Sequence, residues 1–325
     1  MKTIFAKILC VALGLFFGVL AGELFLRIVK PHLLFYDMEV SGVHGHYMLV
    51  DNKNLIYVPR PYSGDFNSYG HRGREYPFKR NKLKRIVFLG DSVVEGLGID
   101  AKNRFTDIVA SDMNDSYEVI NLGVSGYSLL QEFEYLKLKG IKFYPDYVLW
   151  GITYNDLYID SWEISCFSKM LERTKRNSFY NEYYKTKSAV IRILSCSYVF
   201  RYGEYFLAKK SQERFEDSAY YKMPDNEVQG LLSRIRNFEN KHKFHIKFVF
   251  LPLNTNADRS DMPRLKKALQ AMGFYILDLD EEMLKTVPGN DISALFLPGD
   301  PCHLSCKGNE LVAGMLMRHK NEILN

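Results

Sequence analysis

Arg85-Ile86-Val87-Phe88-Leu89-Gly90-Asp91-Ser92 is the stretch on which the fold turns. A short unbroken apolar run bounded by an arginine and a glycine is the pattern of a strand buried on both faces, as in a parallel sheet. Working outward, the same kind of run recurs at Glu118–Leu122, Asp146–Thr153, Ile246–Leu251 and Phe274–Asp278. Helical spacing appears over Phe105–Met113, Ser128–Lys139 (stopped by Gly140), about 227–241, 262–271 and 305–323. Strands alternating with helices predict an α/β, doubly wound, flavodoxin-like parallel sheet of five strands with helices on both faces. Ligands of such folds bind at the carboxyl ends of strands, so that is where chemistry is sought.

The composition sets the class. With 325 residues, 47% hydrophobic and 25% charged, the chain is an ordinary globular sequence long enough to bury a sizeable core. The balance of 43 Lys+Arg against 38 Asp+Glu is a scattered +5, which gives no basic stripe and argues against nucleic acid as a partner. The cluster Lys79, Arg80, Lys82, Lys84, Arg85 reads as a solvated approach to the first core strand. Five cysteines at irregular spacing (Cys10, Cys166, Cys196, Cys302, Cys306) define no disulfide framework. Cys302 and Cys306 flank His303, but no second Cys/His pair accompanies them, so no metal and no other cofactor is expected.

Residues 1–30 read as a membrane anchor. Lys2 and Lys7 precede the apolar run Ile8–Gly22, and apolar residues continue around Glu23 and Arg27 to Val29, close to the roughly 20 residues a spanning helix needs. Glu23 and Arg27 are one helical turn apart and can pair. A cleavable signal peptide, cut after Val19-Leu20-Ala21, is the competing reading. Either way the body is exported, and the retained form would be a single-pass inner-membrane protein with its catalytic domain on the periplasmic or extracellular side. Residues 31–84, rich in Tyr, Pro, Gly and His, read as a stalk or wrapping extension, and 85–325 as the main domain. Within it, about 157–225 is crowded with aromatic residues and breaks the alternation, as an inserted helical cap would.

Four short blocks stand at strand ends or before the last helix. Gly90-Asp91-Ser92 puts a serine where a strand turns into a helix, with its N–H near the positive end of the helix dipole, which suits an attacking group whose product is an oxyanion. Gly96 and Gly98 follow, but without the Gly-Lys-Ser/Thr of a phosphate loop. Asn121-Leu-Gly123-Val-Ser-Gly126 brings glycines to the second strand end, where backbone can come close to a ligand and aim an N–H at it. Thr153-Tyr-Asn155-Asp156 offers a neutral amide donor. Asp300-Pro-Cys-His303 places a carboxylate and an imidazole on one turn, from which the carboxylate can set the tautomer and the imidazole can accept a serine proton.

In this order the blocks resemble the SGNH/GDSL hydrolase family, over about residues 83–325 without the insert. The resemblance implies Ser92 as nucleophile, His303 as general base and then acid, Asp300 as its orienting partner, and an oxyanion hole made of the Ser92 and Gly126 N–H groups with the Asn155 side chain. It departs from the family in Val93, where Leu is common, and in Thr153, where a glycine is usual two residues before the Asn. Asn67-Ser-Tyr-Gly70-His-Arg72-Gly73-Arg-Glu75 is also similar to the lead-in of anchored bacterial members associated with cell-envelope glycans; as plain sequence it is a turn-rich linker packed on the domain. The implied activity is a serine ester hydrolase or O-acyltransferase acting on an O-acyl, chiefly O-acetyl, group of an exported glycan. Its rivals are a lipase or lysophospholipase acting on lipid and a non-catalytic glycan-binding scaffold.

Overall fold

The computed structural model describes residues 2–29, 47–159 and 221–324, apart from 51, 53, 56, 81, 114–115 and 287–291, together with 197 and 199. Most of the expected insert, and all of 31–46, lie outside the described residues. The described residues fall into two units, one drawn from 1–51 and 161–219, the other from 52–160 and 220–325.

In the first unit, helix α1 runs from Lys2 to Val29. Its segment Leu9–Arg27, 19 residues, is long and apolar enough to cross a membrane, a property shared by anchors and signal sequences. The expected pairing within one turn is present: the Arg27 guanidinium donates to Glu23 Oε1 at 2.9 Å.

In the second unit, five strands form one parallel sheet: β1 (Lys84–Gly90), β2 (Tyr117–Gly123), β3 (Tyr147–Ile152), β4 (His245–Phe250) and β5 (Tyr275–Asp278). Their spatial order is β2-β1-β3-β4-β5, the flavodoxin-like order, with Phe88 opposite Asn121 on one side and Leu149 on the other. Because strand side chains alternate, each strand feeds two cores. On one face Phe88, Leu149, Val249 and Leu277 pack with Val109 of α3 (Phe105–Asp112), Met283 of α7 (Leu279–Thr286) and Leu316 of α8 (Cys306–Arg318). On the other, Trp150 stacks on Phe248 at 5.2 Å. There Trp150 reaches α4 (Leu129–Leu138), and Phe133 of α4 meets Phe238 of α5 (Asp225–His242) edge-on at 5.7 Å. Helix α6 (Met262–Ala271) leads into β5, with proline in its first turn, where no intrahelical N–H is needed.

Local sequence accounts for the helix starts. Ser128 and Gln131 close a capping box on α4, and the Ser305 hydroxyl caps α8. Two departures from expectation appear. The predicted last helix is broken at His319, whose ring bonds Glu282, and resumes as α9 (Lys320–Ile323). Helix α7 was not expected, although Asp280, Glu281 and Glu282 form the acidic first turn favoured by the helix dipole.

The basic cluster before β1 is not uniformly solvated. Arg85 is wholly buried: it pairs with Glu118 at 2.5 Å and donates to the carbonyls of Phe143 (2.7 Å), Pro77 (2.8 Å) and Lys79 (3.1 Å). A guanidinium's five donors suit it to gathering carbonyls that would otherwise be buried without partners.

Candidate active site

The strand order reverses between β1 and β3, and their carboxyl ends open the crevice in which such sheets bind ligands. Ser92 follows β1 and begins α2 (Ser92–Glu95), a single turn. Asp91 caps this turn, its Oδ1 accepting the Val93 N–H at 2.9 Å, and Gly96 ends it in the left-handed region. A helix this short does not hold itself together. Two arginines secure its far end: Arg72, from the lead-in, donates to the carbonyls of Gly96 and of Ile99 (2.6 Å), and buried Arg104 donates to the Glu95 carbonyl at 3.1 Å.

Ser92, His303 and Asp300 are brought together. His303 Nε2 is 2.7 Å from Ser92 Oγ, and Nδ1 is 2.7 Å from Asp300 Oδ2. The other Asp300 oxygen accepts the backbone N–H groups of His303 (2.7 Å) and Cys302 (2.9 Å), so the carboxylate is fixed by its own turn. Asn254, after β4, ties that turn down through the Asp300 carbonyl (2.8 Å) and the Pro301 carbonyl (2.9 Å). Burial of the imidazole works against its charged form, but the hydrogen bond and charge of Asp300 prevail and raise the His303 pKa. Burial opposes ionisation of Asp300 as well, yet its hydrogen bonds from His303 and Cys302 hold it below the usual carboxylate value. Asp300, Cys302 and His303 also offer donor atoms within 4.8 Å of one another. Both ring nitrogens of His303 are already engaged, however, so a metal there would have to break the link to Asp300 or to Ser92.

Gly126 lies after β2 with φ +78°, a conformation costly for any residue with a Cβ. The turn before it is held by Glu95, buried on α2, whose Oε2 accepts the Ser125 N–H at 2.5 Å and the Ser125 hydroxyl at 2.7 Å. Gly123 serves packing instead: a Cβ there would stand 2.2 Å from the Glu95 nitrogen. Asn121 binds the Val94 carbonyl at 2.6 Å and its own strand end through the Gly123 N–H at 2.8 Å. The turn bearing Gly126 and the turn bearing Ser92 are thus locked to each other by Glu95 and Asn121.

Asn155 follows β3. Its Oδ1 is 2.7 Å from Thr153 Oγ1, and no acceptor among the described residues takes its Nδ2 hydrogens. Thr153, the departure from the glycine of the resembled family, does not push Asn155 aside but contacts it. Behind it lie two further buried acids. Asp156 Oδ2 accepts the Thr153 N–H at 2.7 Å, and Glu132 Oε2 accepts the Trp150 indole N–H at 2.6 Å. Burial above all pushes both carboxyls well above the usual range, and at Glu132 the neighbouring Asp156 adds to it.

The structure therefore brings Ser92, His303 and Asp300 into contact and sets Gly126 and Asn155 on the neighbouring strand ends. Sequence reading had given no role to Glu95, Asn121, Asn254 or Arg104. Glu95 follows Val93-Val94 and precedes Gly96, and a charged side chain beside that apolar pair is the available signal. His71, in the stretch before β1, is buried beside Tyr135 (3.2 Å), and burial lowers its pKa to about 3.

No family model matches the chain, and no curated protein does. Among solved structures it is similar to an acetyl xylan esterase at 15% identity and TM-score 0.45, over 72% of this chain and 98% of the other. It is similar to a lipase/acylhydrolase from Enterococcus faecalis at 17% identity and TM-score 0.44, over 74% and 97%. It is also similar to a lipolytic protein of the G-D-S-L family from Veillonella parvula at 11% identity and TM-score 0.44, over 73% and 97%. These are likenesses of fold: the chain is similar to G-D-S-L lipolytic proteins and to an acetyl xylan esterase.

Proposed function

We propose that this chain is a serine ester hydrolase whose nucleophile is Ser92, and the observation that carries the reading is the continuous hydrogen-bond path Ser92–His303–Asp300, with both links at 2.7 Å. A serine hydroxyl is a weak nucleophile at neutral pH and needs a base within hydrogen-bond reach, itself held in one tautomer by a third group. Ser92 Oγ attacks the ester carbonyl carbon as its proton passes to His303 Nε2. The carbonyl oxygen becomes an oxyanion facing the N–H groups of Ser92 and Gly126 and the Asn155 amide. Collapse breaks the bond to the alcohol, which leaves with the proton from His303. Water then attacks the acyl-Ser92 carbonyl, giving its proton to His303, and the acid departs as Ser92 is reprotonated. A sugar hydroxyl in place of water makes the same residues a transferase.

The substrate we infer is an O-acetyl or other short O-acyl ester on an exported glycan. The support is the apolar helix α1, which suits a chain held at or sent through a membrane, and the lead-in bearing Arg72, which packs against the turn after Ser92. In this reading residues 1–30 are the anchor, 31–84 the extension and 85–325 the catalytic domain. The full-length protein in detergent is expected to hydrolyse short-chain nitrophenyl esters and to be labelled by a fluorophosphonate at Ser92. Folded protein without labelling would overturn the assignment, and a preference for long acyl chains would redirect it to a lipid substrate.

A further inference from the structure

The Thr153 hydroxyl stands between two oxygens, 2.8 Å from Asp91 Oδ2 and 2.7 Å from Asn155 Oδ1. A hydroxyl carries one hydrogen and cannot donate to both. If Asp91 were ionised, its carboxylate would claim that hydrogen, and the Asn155 oxygen would face lone pairs. The amide would relieve this by turning over, which would aim Oδ1, an acceptor, at the position where an oxyanion forms. If Asp91 carries a proton, one direction of donation satisfies every atom: Asp91 O–H to Thr153 Oγ1, Thr153 O–H to Asn155 Oδ1, with Nδ2 left facing the reacting centre. The other Asp91 oxygen fits this arrangement, since it accepts the Val93 N–H as the carbonyl oxygen of a neutral acid would.

We propose that Asp91 is a positioning residue that stands as a neutral carboxylic acid, and that its proton, relayed through Thr153, holds the Asn155 amide with its hydrogens toward the oxyanion. The inference rests on Asn155 being an oxyanion donor, as in the reading above.

The surroundings favour the neutral form. Asp91 and Thr153 are buried. Facing Asp91 are Asp156 on the turn after β3, Glu132 on α4, and Cys302 and His303 on the C-terminal turn. Among the described residues no lysine or arginine pairs with Asp91, Asp156 or Glu132. Asp156 Oδ1 and Glu132 Oε1 have no hydrogen-bond partner there either. Burial raises the Asp91 pKa more than its bonds from Val93 and Thr153 and the charge of His303 lower it. The neutral aspartic acid of a ketosteroid isomerase oxyanion hole is the general precedent for a carboxyl kept protonated so that it can donate.

The test uses the full-length protein in detergent. Asp91→Asn keeps a donor toward Thr153 and an acceptor for Val93, so its kcat on a short-chain ester is expected within about 3-fold of wild type at neutral pH. It should also lose any alkaline decline that wild type shows as Asp91 deprotonates. Thr153→Val, which cannot relay, is expected to lower kcat by about 10²-fold, the effect of one oxyanion donor, with KM little changed. Thr153→Ser is expected to restore activity. Infrared difference spectroscopy of wild type against Asp91→Asn reads the proton without any turnover, as loss of a protonated-carboxyl band. No such loss, or a 10²-fold fall in kcat for a folded Asp91→Asn, would overturn the inference while Ser92-dependent turnover left the esterase reading standing. A band loss in a protein that turns over no ester would sink the esterase reading and, with it, the role assigned to Asn155.

Discussion

Ser92 and His303 are 211 positions apart in the chain and 2.7 Å apart in space, so each depends on the other being delivered by the fold. Ser92→Ala is expected to lower kcat by roughly 10³-fold or more, since a triad acts as a unit, measured by ester turnover with fluorophosphonate labelling as the control. Because Asp300 raises the His303 pKa, the base loses activity as pH falls through a value above the ordinary imidazole figure of about 6.5. The acid limb of kcat/KM, which reports the free enzyme, should therefore lie above that value, and Asp300→Asn should move it down. Asn155→Ala is expected to cost about 10²–10³ in kcat with KM nearly unchanged. At this scale much was legible: the serine, the Asp/His pair and the amide stand out as candidates because each is a chemically distinctive residue at a strand end or before the last helix. The Thr153 contact was not, because a residue standing in for a glycine shows no partner until Asp91 and Asn155 close on it from two different strands.

The elements that carry these residues are short, and their placement depends on polar side chains buried between them. Helix α2 is one turn, and Glu95 on it holds Ser125 and hence Gly126. Glu95→Ala should free that turn and lower kcat about 10-fold or more, while Glu95→Gln, which keeps an acceptor for the Ser125 N–H and hydroxyl, should lose less. The measurement is kcat with thermal unfolding as the control for folding. Arg85 plays the comparable part for β1: Arg85→Ala leaves Glu118 and several carbonyls without their partner and is expected to cost about 3–5 kcal/mol, read by denaturant unfolding. Strand runs were legible because burial on both faces makes them continuously apolar, and helix stops were legible at glycines. Helix α7 was not, since β5 runs into it without a turn residue between.

Across the whole molecule, the flavodoxin-like order places the ends of β1, β2 and β3 side by side and so assembles the site. That assembly encloses Asp156 and Glu132, whose burial raises both pKa values above those of an unfolded chain. The sign follows: between the unfolded and folded pKa values the folded state holds more protons, so stability is greatest below about pH 4 from these groups and falls as pH rises. Each such proton contributes a slope of about 1.4 kcal/mol per pH unit. Unfolding measured against pH should show this decline, and Glu132→Gln should flatten it. If α1 is a retained anchor, the full-length chain should stay with membranes after alkaline extraction; a shorter soluble product by mass spectrometry would assign it instead to a cleaved signal. By itself the sequence determined the class of fold and the candidates for the reactive groups, because hydrophobic period and residue chemistry are local properties. Only the tertiary structure decided which polar side chains stand together behind them. The contacts of Thr153 with Asp91 and Asn155 are set by how closely the ends of β1 and β3, more than sixty residues apart in the chain, are brought together.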